Sequence, residues 1–269
     1  MGPALLFAPA DRPERYAKAA ERSDAVILDL EDAVAPEAKA AAREHLVNTP
    51  LDPDATMVRI NALGTADSGL DLAALARTRY RTIMVAKAED PDAVAALADY
   101  QVVALCETAA GILAAPALAR LPNVVALMWG AEDLVASLGG TSSRFSGGPK
   151  AGSYRAVATH ARSQLLLSAG AAGKVAVDSI YADIPDVEGL AAEADDAVAS
   201  GFGAKACIHP SQVQVIRDAY RPGDDAVAAA LDLLAAADSA GTGVFAYKGQ
   251  MVDGPILLHA RATLRRAGR

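Results

Sequence analysis

Cysteine, histidine and aromatic residues are all scarce in this sequence. Its 269 residues include two Cys, four His, one Trp, seven Tyr and four Phe. Two cysteines, Cys106 and Cys207, cannot build a secreted disulfide framework, and they form no CxxC pair. Each lies in an apolar run, where a small buried side chain is the plain expectation. The histidines His45, His160, His209 and His259 are scattered, so no Cys/His spacing fits a zinc site. Positive charge is also short. Against 33 Asp and Glu stand 25 Lys and Arg, a net charge of −8, which argues against a nucleic-acid partner. Small anions remain possible ligands, because a few local arginines suffice for them. No apolar run approaches the roughly 18 residues a membrane span needs. The apolar start is stopped by Pro9 and Asp11, which does not read as a targeting signal. A cytoplasmic chain with neither membrane nor nucleic-acid partner is the expectation.

What the sequence does have is apolar residues, 52% of the chain, much of it alanine. Eight short β-rich runs recur, at 5–8, 25–30, 57–61, 82–87, 101–106, 124–129, 174–178 and 205–208. They are continuously apolar rather than alternating, the pattern of parallel strands covered on both faces. Between them lie stretches of helical composition at 36–46, 91–99, 111–120, 154–169 and 187–200. The first two of these begin with proline, which suits a first helical position. Eight strand–helix alternations in a chain of this length predict a (β/α)8 TIM barrel over residues 1–220, with an open doubly wound sheet as the rival. Residues 221–269 exceed the repeat. They read as a C-terminal helical extension, with helices at 224–240 and 256–266 and a strand-like piece at 244–247. Such an extension can serve as a lid or as an arm that reaches a neighbouring subunit. The Gly, Ser and Pro of 144–152 predict a mobile loop.

In a barrel of this kind the active site lies at the C-terminal ends of the strands. Polar residues gather there: Asp29, Glu31 and Asp32 after the second run, Arg59 and Asn61 after the third, Lys87 and Glu89 after the fourth. Glu107 and Thr108 follow the fifth, Gly130, Glu132 and Asp133 the sixth, Asp178 the seventh and His209 the eighth. Several carboxylates without a Cys/His cluster suit a hard cation such as Mg2+, held by one or two carboxylates plus water and substrate oxygens. Any one of them also reads as a strand-end ion pair or a helix cap. Lys87 could add positive charge at the mouth, and it reads equally well as the ion-pair partner of Glu89 or another carboxylate. His209 could act as a base but reads rather as a turn residue ahead of Pro210, and Arg144 reads as a solvated loop charge rather than a substrate contact.

Seven stretches occur in one order along nearly the whole chain. They are Phe7-Ala-Pro-Ala-Asp-Arg-Pro-Glu-Arg15, Val26-Ile-Leu-Asp-Leu-Glu-Asp-Ala-Val34, Val58-Arg-Ile-Asn61, Glu107-Thr108, Gly130-Ala-Glu-Asp-Leu134, Ile208-His-Pro-Ser-Gln212 and Gly249-Gln-Met-Val-Asp253. Each is weak alone. As an ordered set they resemble the citrate lyase β-subunit-like family within the HpcH/HpaI aldolases.

That resemblance implies a (β/α)8 barrel, a homotrimer, bound Mg2+ and a CoA thioester substrate that yields a 2-oxo acid. It implies Glu107 and Asp133 as metal ligands and Arg59 as the residue that steadies the oxo acid. Asp253 matches an acid/base that relatives send into the adjacent subunit's site. Asp29, Glu31, Asp32, Lys87, Gly130, Ala131 and Glu132 fall at substrate-side positions, and Arg12, Arg15 and Lys18 where relatives bring positive charge towards CoA. In Ala109-Ala110-Gly111, alanine at 110 departs from the charged residue many members carry there, which puts one contact in doubt. The implied reaction is cleavage of a citryl-, malyl- or citramalyl-type 3-hydroxyacyl-CoA. The alternatives are malate synthase-like condensation with thioester hydrolysis, or the β subunit of a multi-subunit citrate lyase that acts on an acyl-carrier thioester with partner subunits.

Overall fold

The computed structural model describes residues 2–241 and 243–268. The chain divides into two compact units, one up to Ile216 and one from Arg217 onward. The division falls inside a helix, four residues before the boundary expected after residue 220.

The first unit is a closed barrel of eight parallel strands in sequence order. They are β1 (Ala4–Pro9), β2 (Ala25–Asp29), β3 (Thr56–Ile60), β4 (Thr82–Val85), β5 (Gln101–Cys106), β6 (Val124–Trp129), β7 (Val175–Asp178) and β8 (Ala204–Cys207). Pairing of β1 with β8 closes the ring, so the doubly wound alternative is set aside. Each of the eight apolar runs is a strand, because a continuous apolar run is what a strand between a packed interior and a coat of helices requires.

The helices are α1 (Tyr16–Arg22), α2 (Lys39–Asn48), α3 (Ala66–Leu75), α4 (Pro91–Ala95), α5 (Ala109–Ala119), α6 (Ala131–Ser137), α7 (Ala156–Ala171), α8 (Val187–Ser200) and α9 (Pro210–Tyr220). Of these, α1, α3 and α6 do not stand out in the apolar pattern. α1 buries only Tyr16 and Ala19, and α6 is one of the shortest. α3 does carry a start signal, since the Thr65 side chain accepts from the Ser68 N–H at 3.2 Å. The second unit holds α10 (Asp224–Ala240), a hairpin of β9 (Phe245–Tyr247) and β10 (Gln250–Val252), and α11 (Gly254–Arg266).

Alternation along the strands decides which residues face the barrel interior. Ile27, Met57, Leu105 and Met128 belong to the interior cluster. Two positions further on, the same inward face continues to Asp29, Arg59, Glu107 and Gly130. The apolar filling therefore gives way to charge at the C-terminal mouth. In β8, Ala204 and Ala206 face inward, which turns Lys205 out toward the helices.

Candidate active site

The mouth encloses a cavity of about 320 Å3 lined by Asp29, Arg59, Glu107, Gly130, Asp133 and Arg144, among others. Asp29 and Arg59 are register partners on β2 and β3. That pairing makes their contact bidentate: Arg59 Nε donates to Asp29 Oδ1 at 2.7 Å, and Nη2 to Oδ2 at 2.6 Å. Arg59 Nη1 lies 3.0 Å from Glu31 Oε2, and the guanidinium sits 5.0 Å from the centre of the Phe7 ring. Asp29 also accepts the N–H groups of Glu31 and Ala33, at 2.9 and 3.1 Å. Its carboxylate is therefore spent on organising this loop and Arg59. Burial alone would lower the Arg59 pKa, but the Asp29 and Glu31 contacts outweigh it and raise it, so the charge is permanent.

Lys87 pairs with Glu31 rather than Glu89, and its Nζ stands 3.9 Å from Glu107. Glu89 instead accepts from the Thr108 hydroxyl. Lys87 is in the left-handed region at φ 49°, a conformation that costs a side-chain-bearing residue roughly 1–2 kcal/mol. In that conformation its backbone N–H points at Glu107 Oε1, at 3.0 Å.

Glu107 follows β5 and is 2% exposed. Burial, and then the negative charge of Asp133, push its carboxyl up to about 8, against the pull of Arg59 and Lys87. Its other oxygen, Oε2, has no hydrogen-bond donor among the described residues. Gly130 makes this placement possible, since a Cβ there would lie 2.7 Å from Glu107 Cβ and 2.9 Å from Oε2. Asp133 stands in the first turn of α6, half-buried.

A buried carboxylate with a free oxygen, beside a second carboxylate of like charge, fits a divalent cation. Among the described residues no three His, Cys, Asp or Glu side chains come together to hold a metal. A two-carboxylate set completed by water and substrate oxygens is how Mg2+ is commonly held.

Of the other sequence candidates, Asp32, Ala131 and Glu132 line the same cavity. Glu31 is buried between Arg59 and Lys87, while Asp32 is 57% exposed and 3.6 Å from Lys87. Glu132 accepts from the Ser143 hydroxyl. The backbone N–H of Ala131 reaches Ser179 Oγ at 3.4 Å. Arg12, Arg15 and Lys18 are exposed on the turn and helix after β1. His209 is exposed and bonded through Nδ1 to Ser211 Oγ at 2.7 Å, the turn role expected of it. Asp253 belongs to the second unit, as the residue before α11.

Arg144 departs from the solvated loop charge preferred for it, since its side chain is mostly covered and paired with Glu193. The stretch expected to be a loose loop folds back on itself through an Arg144–Tyr154 bridge, and Arg144 lines the cavity. The available signal was the pairing of loop Arg144 with Tyr154 and Tyr181, but nothing in their spacing reveals that they stack.

The fold and site together are those of a (β/α)8 barrel whose C-terminal mouth gathers two carboxylates and a fixed arginine. Residues 4–210 match the family described as HpcH/HpaI aldolase/citrate lyase, and the chain belongs to that family. It is 55% identical over 267 residues to the citrate lyase subunit beta-like protein of Mycobacterium tuberculosis, covering 99% of this chain and 96% of that one. It is 29% identical over 294 residues to the mitochondrial citramalyl-CoA lyase of Homo sapiens, covering 97% and 84%. The crystal structure of CitE from M. tuberculosis in complex with magnesium, acetoacetate and coenzyme A superposes with a TM-score of 0.93. It is 55% identical and covers 100% of this chain and 98% of that one.

Proposed function

We propose that this chain is a Mg2+-dependent carbon–carbon lyase. It cleaves, or in reverse forms, a 3-hydroxyacyl-CoA of citryl, malyl or citramalyl type, giving an acyl-CoA and a 2-oxo acid. The observation that carries this reading is the buried Glu107 with its free oxygen beside Asp133, across a small cavity from a locked Arg59. Glu107 and Asp133 would hold the Mg2+, which when bound supplies Lewis-acid polarisation of the oxo-acid oxygens.

The chain's own residues do the rest. Cleavage takes the proton from the 3-hydroxyl as the adjacent C–C bond breaks. The hydroxyl carbon becomes the carbonyl of the oxo acid. The bonding pair passes into the thioester enolate, which a proton then quenches. Arg59, preset by Asp29 and Glu31, donates its remaining N–H groups to the oxo acid without reorganising. Lys87 keeps Glu107 in place and offsets charge at the mouth, and the Gly130–Glu132 turn shapes the substrate side. Asp253, reaching a neighbour's site in a homotrimer, is the acid/base of this reading, a role that contributes about 10²–10⁴-fold. Arg12, Arg15 and Lys18 draw in the CoA phosphates.

The acetoacetate in the M. tuberculosis CitE complex favours a second, wider reading of the product. That ligand is a 3-oxo acid, so thioesters whose carboxylate lies one carbon further from the hydroxyl also belong in the test. The experiment is a screen of 3-hydroxyacyl-CoA thioesters with and without Mg2+, following oxo-acid and acyl-CoA release, on wild type, E107Q, D133N and D253N. Cleavage that EDTA abolishes and the variants lose is expected. Cleavage that persists in EDTA, or in E107Q and D133N, refutes the reading. Free CoA among the products marks hydrolysis after condensation. Activity that needs partner subunits marks an acyl-carrier thioester.

A further inference from the structure

Behind the cavity, on the outer side of β7 and β8, lies a second set of buried charges that the reaction does not use. Lys205 is fully buried. Its Nζ reaches Glu193 Oε1 on α8 at 2.9 Å, Asp178 Oδ2 at 3.1 Å and the Ser179 carbonyl at 2.7 Å. Glu193 passes the connection on, since its Oε2 accepts from Arg144 Nη2 at 2.6 Å. Arg144 is held from other directions too. Its Nη1 donates to the Gly152 carbonyl at 2.8 Å. Its guanidinium carbon lies 3.7 Å from the centre of the Tyr154 ring and 4.9 Å from that of Tyr181.

This is far more fixation than a loop charge needs, and Arg144 lines both the site cavity and a neighbouring cavity that it shares with Gly152, Tyr154, Tyr181 and Glu193. Only two of its N–H groups have acceptors. The rest, on Nε and both terminal nitrogens, have none among the described residues. Arg59 enters the same cavity from β3, whereas Arg144 follows β6, three strands further round a ring of eight. Two fixed arginines thus line one cavity from well-separated positions, with Met128, Leu105 and Ile180 also among the lining. That is a cavity suited to an anion at each end of a short carbon chain.

We propose that Arg144 is a specificity-determining residue. It binds a second carboxylate on the oxo-acid portion of the substrate, so that the chain prefers dicarboxylic oxo acids over monocarboxylic ones. Glu193 and Lys205 act as positioning residues that set its direction. The proposal rests on the lyase reading for the identity of the substrate, but its ligand chemistry can be measured without turnover.

The test compares oxaloacetate with pyruvate on the Mg2+-loaded protein, by calorimetric binding and by kcat/KM for condensation with acetyl-CoA. Wild type is expected to favour oxaloacetate. R144Q is expected to lower the oxaloacetate-to-pyruvate ratio by roughly 10- to 100-fold, the worth of a charge-assisted hydrogen bond. R144K, which keeps the charge and loses the fork, is expected to fall between them. E193Q is expected to lower the same ratio through KM rather than kcat. Thermal unfolding of each variant checks the fold. If R144Q proves unfolded, the R144K ratio decides. A wild type without preference overturns the proposal. So does a ratio that R144Q leaves unchanged because both ligands weaken equally, as a contact to the CoA phosphates would produce. If wild type turns over no thioester, the lyase reading falls, and the calorimetric ratio alone judges Arg144.

Discussion

Replacing Gly130 by alanine isolates what the cavity asks of its geometry. The backbone there, at φ −119° and ψ 118°, suits any residue, so the whole effect is steric. The new Cβ would lie 2.7 Å from Glu107 Cβ and 2.9 Å from Oε2. Carbon atoms in contact sit about 3.5–4.0 Å apart, so Glu107 or the start of α6 must move by about 1 Å. Overpacking of this kind costs about 1–3 kcal/mol, and Tm falls by roughly 2–4 °C per kcal/mol in a chain of this order of size. The effect on metal binding is larger in kind, because Mg2+ demands ligands at about 2.0–2.1 Å in near-octahedral positions. A shift of its carboxylate should weaken Mg2+ at least about ten-fold, the lower end of what disturbed supporting contacts cost. Calorimetric titration of Mg2+, with Tm measured at zero and saturating metal, reads both effects. Gly69, in α3, is the control, since a Cβ there meets nothing within 4 Å. G69A should gain about 1 kcal/mol of helix propensity and leave Mg2+ affinity alone. Unchanged Mg2+ affinity in G130A would refute the assignment of Glu107 as a ligand held by that glycine.

Three further expectations follow from the same contacts. Removing the buried Lys205 charge in K205M leaves Asp178 and Glu193 short of a partner and should cost about 3–5 kcal/mol in urea unfolding; a loss below 1 kcal/mol would mean the pair contributes nothing net. Asp178 would be raised by burial, but Lys205, Arg162 and Trp129 outweigh that and hold its carboxyl below the usual 3.8. A depressed carboxylate stabilises the fold above its unfolded pKa and loses that contribution as pH falls through its folded value. D178N should therefore cost more at pH 7 than at pH 3, and an equal cost at both would sink the argument. Cys106 and Cys207 are both buried, so alkylation by iodoacetamide should wait for unfolding, as mass spectrometry at increasing urea would show.

The barrel was legible because its signal is summed over eight elements. Strands buried on both faces must be apolar throughout, and each run could be located within one or two residues. The inner site was legible in outline for the same reason: a charge that ends an apolar strand has nowhere to go but the mouth. What could not be read was pairing. Lys87 stands two residues from Glu89, yet its left-handed backbone turns it to Glu31, and φ at a lysine leaves no mark in the sequence. Arg144 reads as solvated because its loop is rich in Gly and Ser, while its partners Glu193, Tyr154 and Tyr181 lie on other elements. Lys205, lodged between two alanines, shows only as a break in an apolar run. Its use is set by three residues brought together by packing. Long-range polar contacts depend on the finished fold, whereas the hydrophobic period does not.

Two sets of buried charges on one barrel also show how structural charge differs from functional charge. On the outer side, Arg144, Arg162 and Lys205 meet Asp178, Glu193 and Asp196, so cations and anions match one for one. At the mouth, Arg59 and Lys87 are matched by Asp29 and Glu31. Asp32, 57% exposed, stands 3.6 Å from Lys87. Glu107, whose ionisation burial opposes, has only Lys87 at 3.9 Å, already paired with Glu31, and Asp133 forms no ion pair among the described residues. A buried carboxylate short of positive charge, with a half-buried one beside it, is costly to a fold. It persists where something outside the chain supplies the missing charge, and a divalent cation supplies both units at once. The outer set therefore reads as architecture that aims Arg144. Under the lyase reading proposed above, Glu107 and Asp133 are the part of the mouth that a bound cation would complete.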